Sequence, residues 1–307
     1  MSEDTAANEL AAAAGRPVLE EAAMEGHTTI GCGGPVDFLV EAVSTGRLQA
    51  ILQTAVRHHL PWIVLGQGSN LLVSDQGWRG LAITLAGELD GYDFHGNELH
   101  AGGGLLLPRA ARLAAERGLS GLEPLAGIPG TIGGTIAINA GAFGAAIGEL
   151  VLQVEICGEE NCFRLEREEL DFGYRSGNLP PGTVVSRAIL ALKPGDAAGI
   201  QAAVRDFRAR REAGQPRGRT CGSVFKNPPG NASAGELLDR AGCKGLAQGG
   251  AEVSRLHANF IVNKRQARAA DVLGLMNSCR RRVYKSFGVE LEPEVRFLGD
   301  IGLEPLK

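Results

Sequence analysis

The chain has 307 residues, a net charge of -4, and ordinary shares of hydrophobic (44%) and charged (21%) residues. This length exceeds the usual size of one domain, so we expect two or three domains. The slight negative charge excludes a dedicated nucleic-acid binder, which carries a clear basic excess. The 44 glycines are about twice the average share, which indicates either many tight turns or a backbone that approaches a large ligand closely.

The six cysteines are scattered along the chain without a C-x-x-C pair. This pattern indicates neither a zinc site nor a disulfide framework, so we expect reduced, mostly buried thiols, no bound metal and a cytoplasmic location. Residues 1–17 are alanine-rich and lack the basic start and apolar stretch of a signal peptide, and we interpret them as a flexible extension. The apolar runs are too short for a transmembrane helix, so no membrane insertion is expected.

The first predicted unit mixes helix and strand. A helix is predicted over residues 45–60, where apolar residues recur at helical spacing. Pro61 ends this helix, and residues 62–65 have the pattern of a short buried strand. A glycine-rich turn at residues 66–70 then leads into a second apolar run at residues 71–73.

Residues 80–190 are richer in predicted strands. The predicted elements are a strand (81–85), a hairpin (92–101), a helix (107–117) and a second hairpin (151–165). Between the helix and the second hairpin lies a glycine-rich passage, residues 118–148. A loop of that length inside a compact domain is usually functional.

The last third of the chain has a third pattern. The predicted elements are a bridging helix (197–211), a strand near 223–225, a helix opened by a capping box at 233–236, a strand (259–263), a long amphipathic helix (267–287) and an alternating strand (289–297). We therefore predict an α+β fold.

Two glycine-rich segments are candidates for phosphate or cofactor contact. In residues 66–70, backbone N–H groups could converge on an anion, although an ordinary turn explains this segment equally well. Residues 127–134 and 138–144 bracket an apolar stretch, read as a strand, with little side-chain cover. A tight connection explains one such cluster but not two, so we favour contact with a flat or extended cofactor.

Three further segments carry reactive side chains. Arg175 follows Tyr174 among turn formers, and by itself it has the pattern of a surface arginine. Ser223 follows a glycine and could present a hydroxyl, but it lacks the G-x-S-x-G elbow of a hydrolase nucleophile. The last predicted strand has an acidic face that includes Glu294. Such faces are exposed to solvent in most proteins, so only a buried glutamate of this face would have a chemical role.

In their order and spacing these segments resemble the UDP-N-acetylenolpyruvoylglucosamine reductase (UDP-N-acetylmuramate dehydrogenase) family. The resemblance covers residues 28–299. The matching stretches are TTIGCGGPVDF (28–38), VLGQGSNLLVSD (64–75), GLSGLEPLAGIPGTIGGTIAINAGAFG (118–144), YR (174–175), GSVFKNP (222–228), HANFIVN (257–263) and LEPEVRF (291–297).

The resemblance implies FAD as cofactor, NADPH as reducing co-substrate and UDP-N-acetylglucosamine enolpyruvate as substrate, which is reduced to UDP-N-acetylmuramate in peptidoglycan precursor synthesis. It also implies an FAD-binding region of the vanillyl-alcohol oxidase type followed by a C-terminal α/β substrate domain. The corresponding boundaries are 18–84 and 85–195 for two FAD-binding subdomains and 196–307 for the substrate domain. The chain looks like the second, shorter type, because no insertion separates the YR motif from the third domain.

Roles carry over to the matching positions. Arg175, Ser223 and Glu294 match the catalytic residues, with Ser223 as proton donor and Glu294 as a protonated hydrogen-bond donor. Cofactor contact is implied for Gly66, Gly68, Ser69, Asn70, Gly130, Thr131, Gly133, Gly134, Asn139 and Gly141. Substrate contact is implied for Tyr174, Lys226, Asn227, His257 and Arg296. For His257, a structural histidine with satisfied hydrogen bonds is an equal alternative.

One motif departs from the family, and two rival functions stay open. Where the family usually has Tyr-Arg-x-Ser, this chain has Ser176 followed by Gly177, which leaves the conformation of that loop in question. The rivals are another flavin oxidase of the same broad fold, acting on an alcohol or amine, and a sugar-nucleotide-binding protein without catalysis. A flavin spectrum on purification counts against the second rival.

Overall fold

The computed structural model describes residues 3–230 and 232–306. Its α-helices are α1 (Glu3–Ala14), α2 (Thr45–Arg57), α3 (Leu107–Glu116), α4 (Ile132–Ala137), α5 (Ala197–Gly214), α6 (Ala234–Arg240) and α7 (Ala269–Phe287). Its strands are β1 (Leu19–Ala23), β2 (Pro35–Ala42), β3 (Trp62–Val64), β4 (Leu71–Val73), β5 (Trp78–Leu85), β6 (Tyr92–His95), β7 (Glu98–Gly102), β8 (Leu119–Ser120), β9 (Gly141–Ala142), β10 (Ala145–Ala146), β11 (Val151–Cys157), β12 (Cys162–Glu166), β13 (Val184–Ala191), β14 (Lys193–Pro194), β15 (Arg219–Ser223), β16 (Ala247–Gln248), β17 (Ala251–Val253), β18 (Phe260–Asn263) and β19 (Arg296–Leu298).

The α+β class predicted from the sequence is confirmed. The strands form sheets with the orders β1-β2-β5-β3, β12-β11-β13-β7-β6 and β15-β18-β17-β16, together with the pairs β10-β9, β14-β8 and β19-β4. The pairings β3-β5 and β19-β4 are parallel, whereas β12-β11-β13-β7-β6 is antiparallel throughout. Within the described residues no helix is both long and apolar enough to cross a membrane.

The chain divides into two compact units, each built from three segments. The first unit contains Met1–Glu20, Phe38–Gly66 and Gly80–Arg210, and the second contains Glu21–Asp37, Gln67–Arg79 and Arg211–Lys307. The predicted domains have continuous boundaries (18–84, 85–195 and 196–307), whereas each of the two units is built from separate segments of the chain. The three domain boundaries therefore remain a prediction.

The first unit has two hydrophobic cores. One lies around α2 and includes Leu48 and Leu10, both fully buried. The other lies between the five-stranded sheet, α3 and α4, and includes Leu99 and Ile136. Because α4 packs into this second core, the glycine-rich passage that carries it is held by the side chains of its few apolar residues.

The second unit has one core that draws on all three of its segments. Ile30 from the first segment and Leu72 from the second pack with the helices α6 and α7 of the third. Strand β19 pairs with β4, with Phe297 aligned to Leu72. The carboxylate of Asp75, just after β4, accepts hydrogen bonds from the first two N–H groups of α7, at 2.7 and 3.0 Å, which satisfies donors that a helix leaves unpaired.

Three sequence expectations differ from the structure in this architecture. Residues 3–14 form α1 instead of a flexible extension, because Leu10 and the alanines beside it pack against α2. Part of the stretch between the two glycine clusters, expected as a strand, is helix α4. The last strand covers only Arg296–Leu298, because the backbone around Pro293 pairs with the segment after Ser223 and not with β4.

A fourth difference concerns the cysteines. Cys157 and Cys162 form a disulfide across the β11–β12 hairpin, so the expectation that all six thiols are reduced is wrong for this pair. Antiparallel pairing places the two residues directly opposite each other, which the spacing of cysteines along the sequence did not indicate. Cys32, Cys221, Cys243 and Cys279 are free and buried, as expected.

Candidate active-site segments

In the first unit, the predicted cofactor residues cluster around the start of α4. Thr131 is the N-cap of this helix, and its Oγ1 accepts a hydrogen bond from Gly134 N at 3.2 Å. A Cβ atom built on Gly66 would lie 3.1 Å from the same Oγ1, so this backbone approaches Thr131 closely. Gly133 is buried where a Cβ atom would lie 3.0 Å from two backbone oxygens, those of Gly103 and Val185.

The N–H groups at the start of α4 already have partners inside the protein. Ile132 N donates to Leu105 O and Gly133 N donates to Gly103 O, both at 2.8 Å. Helix α4 therefore does not hold an anion through these N–H groups. The glycines allow close backbone packing here, and Gly130, with φ of 146°, allows the chain to enter the helix.

Asn139 and Arg175 connect the glycine-rich passage to the Tyr-Arg loop within the first unit. Asn139 Oδ1 accepts from Gly148 N at 3.1 Å, and its Nδ2 donates to Gly173 O at 2.9 Å. Arg175 Nη1 donates to Gly141 O at 3.4 Å. The structure thus brings together the glycine-rich cluster 138–144 and the Tyr-Arg loop, two segments that are separate in the sequence.

The Tyr-Arg loop is a tight turn closed by Gly173 and Ser176, which exchange backbone hydrogen bonds at 2.9 and 3.3 Å. Arg175 lies within it at a left-handed φ of 55°. Tyr174 is 63% exposed, with the Arg175 guanidinium 5.6 Å from its ring centroid. This exposed aromatic ring and half-buried guanidinium are suited to contact with a ligand.

The shifted serine of this loop has a structural reason. Gly177 is buried, its N–H donates to Ala137 O at 3.0 Å, and a Cβ atom there would overlap Ile136 O. The position where the family usually has serine therefore has no room for a side chain. Ser176 instead accepts a hydrogen bond from Asn178 N through its Oγ, at 3.2 Å.

In the second unit, Gly68, Ser69 and Asn70 lie in the turn before β4. Gly68 has a φ of 60°, and a Cβ atom there would overlap His27 O, so this position requires glycine. Asn70 Nδ2 donates to Glu294 O at 3.1 Å, and Asn70 O accepts from Arg296 N at 3.0 Å. The residue predicted to contact the cofactor thus holds the backbone that carries Glu294.

Ser223 ends β15 immediately after a β-bulge. The pairing of β15 with β18 shifts register between Thr220 and Ser223, and Gly222 has a φ of 78° inside this irregularity. A bulge bends a strand and redirects the side chain that follows it. The local backbone, and not the regular ladder, therefore sets the direction of the Ser223 hydroxyl.

Glu294 lies beside Ser223 on a neighbouring stretch of chain. Glu294 N donates to Val224 O at 2.9 Å, and Phe225 and Pro293 form a β-bridge. Ser223 and Glu294 are both half-buried. The structure thus brings together two of the three predicted catalytic residues in the second unit, while Arg175 belongs to the first unit.

The other predicted substrate residues lie near this pair in the fold of the second unit. Lys226 Nζ is 3.4 Å from Glu292 Oε2, and Asn227 Oδ1 accepts from Ala234 N at the start of α6, at 3.0 Å. Arg296 is exposed at the first position of β19.

His257 is half-buried against Phe260, with ring centroids 4.9 Å apart, and its Nδ1 accepts from Asn259 N at 3.2 Å. Burial, and next the positive charge of Lys244, lower the pKa of His257 below 6.5, so its imidazole is neutral at pH 7. Both features agree with the structural alternative.

Asn259 is a residue that the sequence analysis did not single out. It is 4% exposed, and its side-chain amide forms hydrogen bonds with both the N–H and the C=O of Phe225. It belongs to the HANFIVN stretch, but only the structure shows that its amide faces the segment after Ser223.

Within the first unit, the composition around the start of α4 fits part of an FAD molecule, such as its diphosphate or ribityl chain. Gly66 and Gly134 expose backbone without a side chain, and Thr131 adds a hydroxyl group. Among the residues that the structure describes, no group of three or more His, Cys, Asp or Glu side chains is arranged to hold a metal ion.

A separate cavity of about 520 Å³ lies on the exposed face of the five-stranded sheet in the first unit. Its lining includes Tyr92, His95, His100 and Arg187 and contains none of the residues predicted for the active site.

Comparison with known proteins identifies both parts of the chain. A family model described as an FAD binding domain matches residues 36–158, and one described as the C-terminal domain of UDP-N-acetylenolpyruvoylglucosamine reductase matches residues 215–298. UDP-N-acetylenolpyruvoylglucosamine reductase 2 of Symbiobacterium thermophilum is 44% identical over 276 residues, 89% of each chain. The UDP-N-acetylenolpyruvoylglucosamine reductase of Rubrobacter xylanophilus is 44% identical over 87% of this chain and 91% of its own length.

A solved structure agrees with these sequence relatives. The crystal structure of UDP-N-acetylenolpyruvylglucosamine reductase from Thermus caldophilus matches with a TM-score of 0.80 and 40% identity, over 92% of this chain and 99% of that one. The FAD-binding region and the C-terminal domain occur in the predicted order. The chain therefore belongs to the UDP-N-acetylenolpyruvoylglucosamine reductase family of FAD-dependent oxidoreductases.

Proposed function

We propose that this chain reduces UDP-N-acetylglucosamine enolpyruvate to UDP-N-acetylmuramate, with NADPH as reductant and FAD as bound cofactor, in the synthesis of peptidoglycan precursors in the cytoplasm. The observation that carries the proposal is the hydrogen bond from Glu294 N to Val224 O, which holds the stretches carrying Glu294 and Ser223 side by side in the second unit, in a chain of this family. A proton donor beside a second acid suits a substrate that must accept a proton.

The substrate is an enol ether conjugated to a carboxylate. Reduced FAD, held against the glycine-rich segments, would supply the hydride for the terminal vinyl carbon, and NADPH would restore the reduced cofactor. Addition of hydride moves negative charge onto the substrate carboxylate, and the protein must stabilise that charge as it develops. Arg175 suits this task because a guanidinium is permanently charged and can donate two parallel hydrogen bonds to a carboxylate.

The second carbon of the enolpyruvyl group must then receive a proton. We assign this step to the Ser223 hydroxyl. A serine is a weak acid, but the electron-rich carbon formed after hydride addition is a strong base. The bulge at Gly222 fixes the backbone that presents the hydroxyl, so the proton arrives on one face of the substrate.

Glu294 has a role that depends on its protonation. A protonated carboxyl donates a hydrogen bond to the charged oxygens of the intermediate, whereas an ionised one repels them. The backbone of Glu294 is held by Asn70 on one side and Val224 on the other. We propose that this double attachment keeps the carboxyl in place during turnover.

The remaining residues are assigned to binding. Tyr174, Lys226, Asn227, His257 and Arg296 are proposed to contact the substrate, with the Lys226 ammonium suited to phosphate oxygens. Neutral His257 suits a hydrogen bond to the uridine or sugar part better than an ion pair. FAD is proposed to lie against the glycine-rich segments, where Gly66, Gly134 and Gly141 expose backbone; the other proposed FAD contacts are Gly68, Ser69, Asn70, Gly130, Thr131, Gly133 and Asn139.

An anaerobic experiment separates the two halves of the reaction. The purified protein is reduced with NADPH, and the enolpyruvyl sugar is then added while the flavin absorbance is followed. Wild-type protein is expected to become reoxidised. The variant Ser223→Ala is expected to be reduced normally but not reoxidised by the sugar, because without a proton donor the electron-rich form of the substrate returns its hydride to the cofactor.

Ser286→Ala is the matched control, because Ser286 is an exposed serine of α7. It should reproduce both half-reactions of the wild type. Failure of the wild-type flavin to be reoxidised by the sugar would contradict the proposed function. Equal loss of both half-reactions in Ser223→Ala would contradict the role of that serine alone.

A further inference from the structure

The segment from Ser223 to Lys226 is held between two other stretches of the second unit. On one side, Val224 N donates to Asn259 O at 2.9 Å. On the other side, Val224 O accepts from Glu294 N and Lys226 N donates to Glu292 O, both at 2.9 Å. A shift of this segment would therefore move Ser223 and Glu294 together with it.

The regular ladder between β15 and β18 ends at the pair Ser223 and Phe260. Beyond this point the side chain of Asn259 acts as the backbone partner of Phe225. Phe225 N donates to Asn259 Oδ1 at 3.0 Å, and Asn259 Nδ2 donates to Phe225 O at 2.8 Å. The amide thus supplies the donor and the acceptor that a neighbouring strand residue would otherwise supply.

Both ends of this contact are shielded from water. Phe225 is 1% exposed and Asn259 is 4% exposed. A buried hydrogen bond is not weakened by competing water, and two bonds from one planar amide fix its orientation. The position of Phe225, two residues after Ser223, is therefore set by Asn259.

We propose that Asn259 is a positioning residue for the reduction of the substrate: its amide sets the position of the Ser223–Lys226 segment, and through it the placement of the Ser223 hydroxyl and of Glu294. This inference rests on the proposed function. Asn259 touches the backbone of Phe225, and its effect on the reaction is transmitted through the segment that carries the proton donor.

The variant Asn259→Asp tests the proposal, because aspartate keeps the acceptor for Phe225 N but loses the donor to Phe225 O. Asn263→Asp is the matched control. Asn263 lies at the end of β18, is 9% exposed, and donates from Nδ2 to Ile30 O and Gly31 O at 3.0 Å while accepting from Ala267 N. The same change of chemistry at the far end of β18 is therefore expected to leave the Ser223–Lys226 segment in place.

The two half-reactions are measured in both variants. In Asn259→Asp, reoxidation of the flavin by the enolpyruvyl sugar is expected to slow by about 10- to 100-fold, the penalty of a misplaced catalytic group, while reduction by NADPH stays within about twofold of wild type. Asn263→Asp should show no such difference between the half-reactions. Equal behaviour of the two variants in both half-reactions would overturn the proposal.

The pH profile gives a second readout that a purely structural role would not change. The introduced aspartate, once protonated, regains an O–H donor for Phe225 O, so the ratio of the reoxidation rate of Asn259→Asp to that of wild type should rise as the pH falls. The titratable groups on the stretches that hold this segment, namely His257, Lys226, Glu292 and Glu294, are present in both proteins, so the ratio of the two rates cancels their effect. Parallel profiles for variant and wild type would contradict the inference.

A measurement on the wild-type holoenzyme covers the case in which Asn259→Asp fails to fold. Hydrogen exchange is followed at the Phe225 amide, which should exchange as slowly as the amides of β18. Rapid exchange there would show that the hydrogen bonds between the Asn259 amide and Phe225 do not hold the segment, and the inference would fail. Absence of reoxidation by the sugar in wild type, with a protected Phe225 amide, would instead refute the proposed function.

Discussion

The disulfide between Cys157 and Cys162 allows a stability prediction to be worked out from the structure. It closes a loop with a sequence separation of 5, and the chain-entropy relation for so short a loop gives about 2 kcal/mol of stabilisation. The hairpin turn is also held by α2, because Gln49 Nε2 donates to Glu160 O at 2.7 Å and Gln53 Nε2 donates to Glu159 O at 3.1 Å. Reduction should therefore lower stability without releasing the hairpin.

The expected result is a fall in Tm of about 4–8 °C on addition of a dithiol, the shift that corresponds to about 2 kcal/mol in a cooperative unit of about 150–250 residues. Cys162→Ala should show the same lower Tm and no further response to the dithiol. Cys162 is only partly buried, so this variant breaks the bond while leaving the buried Cys157 in the core.

Calorimetry measures the Tm, and alkylation under denaturing conditions followed by mass spectrometry counts the free thiols. The structure predicts four free thiols before reduction, namely Cys32, Cys221, Cys243 and Cys279, and all six cysteines after it. Six alkylated thiols in the untreated, air-exposed protein would refute the reasoning, as would an unchanged Tm in Cys162→Ala.

Three further predictions concern other parts of the chain. Gly222→Ala places a side chain at a φ of 78° and should lower the free energy of unfolding by about 1–2 kcal/mol. Calorimetry should show this loss of stability, and turnover assays should show lower activity as well. The control Gly182→Ala, at a φ of 70° in the first unit, should lower stability without lowering activity. Leu10→Ala should lower the free energy of unfolding, measured with denaturant, by about 2–5 kcal/mol, because it removes a fully buried side chain. Leu19→Ala changes a residue that is 58% exposed and should lower it by less than about 0.5 kcal/mol. Equal effects of the two variants would contradict the packing of α1. The pKa of His257 is lower in the folded than in the unfolded chain, so the unfolded state binds more protons and the stability that the neutral imidazole provides is present above about pH 6.5 and lost below it; unfolding curves from pH 5 to 7.5 should show a steeper loss for wild type than for His257→Gln.

Much of the fold follows from periodicity in the sequence. The helix predicted at 45–60 is Thr45–Arg57 in the structure, and the long helix predicted at 267–287 is Ala269–Phe287, because in both an apolar stripe faces a core. Ser233 caps α6 as predicted, accepting from Glu236 N at 3.2 Å. These elements are encoded locally, and the tertiary structure agrees with the local pattern.

Other elements depend on contacts that the sequence pattern does not contain. Helix α4 forms despite two glycines because Ile132 and Ile136 are fully buried in the second core of the first unit. The terminal alternation predicted a strand over 289–297, yet Pro293 forms only an isolated bridge with Phe225 and the strand itself begins at Arg296. In the active-site segments, the resemblance to the family indicated Ser223 and Glu294. The hydrogen bonds between the Asn259 amide and the Phe225 backbone could not be predicted, because the sequence does not show which backbone atoms lie opposite that amide.

The second unit has a consequence for attempts to divide this protein. Its C-terminal stretch depends on residues from earlier in the chain. Residues 71–73 form the strand that pairs with β19, the Asp75 carboxylate caps α7, and Ile30 packs in the core. A fragment cut at the start of the region matched by the C-terminal family model would leave β19 with an unpaired edge and α7 with bare N–H groups. A shortened or grafted version of the second unit should therefore include residues 21–37 and 67–79 together with the C-terminal stretch. These three segments share one hydrophobic core, so no single continuous segment forms the unit.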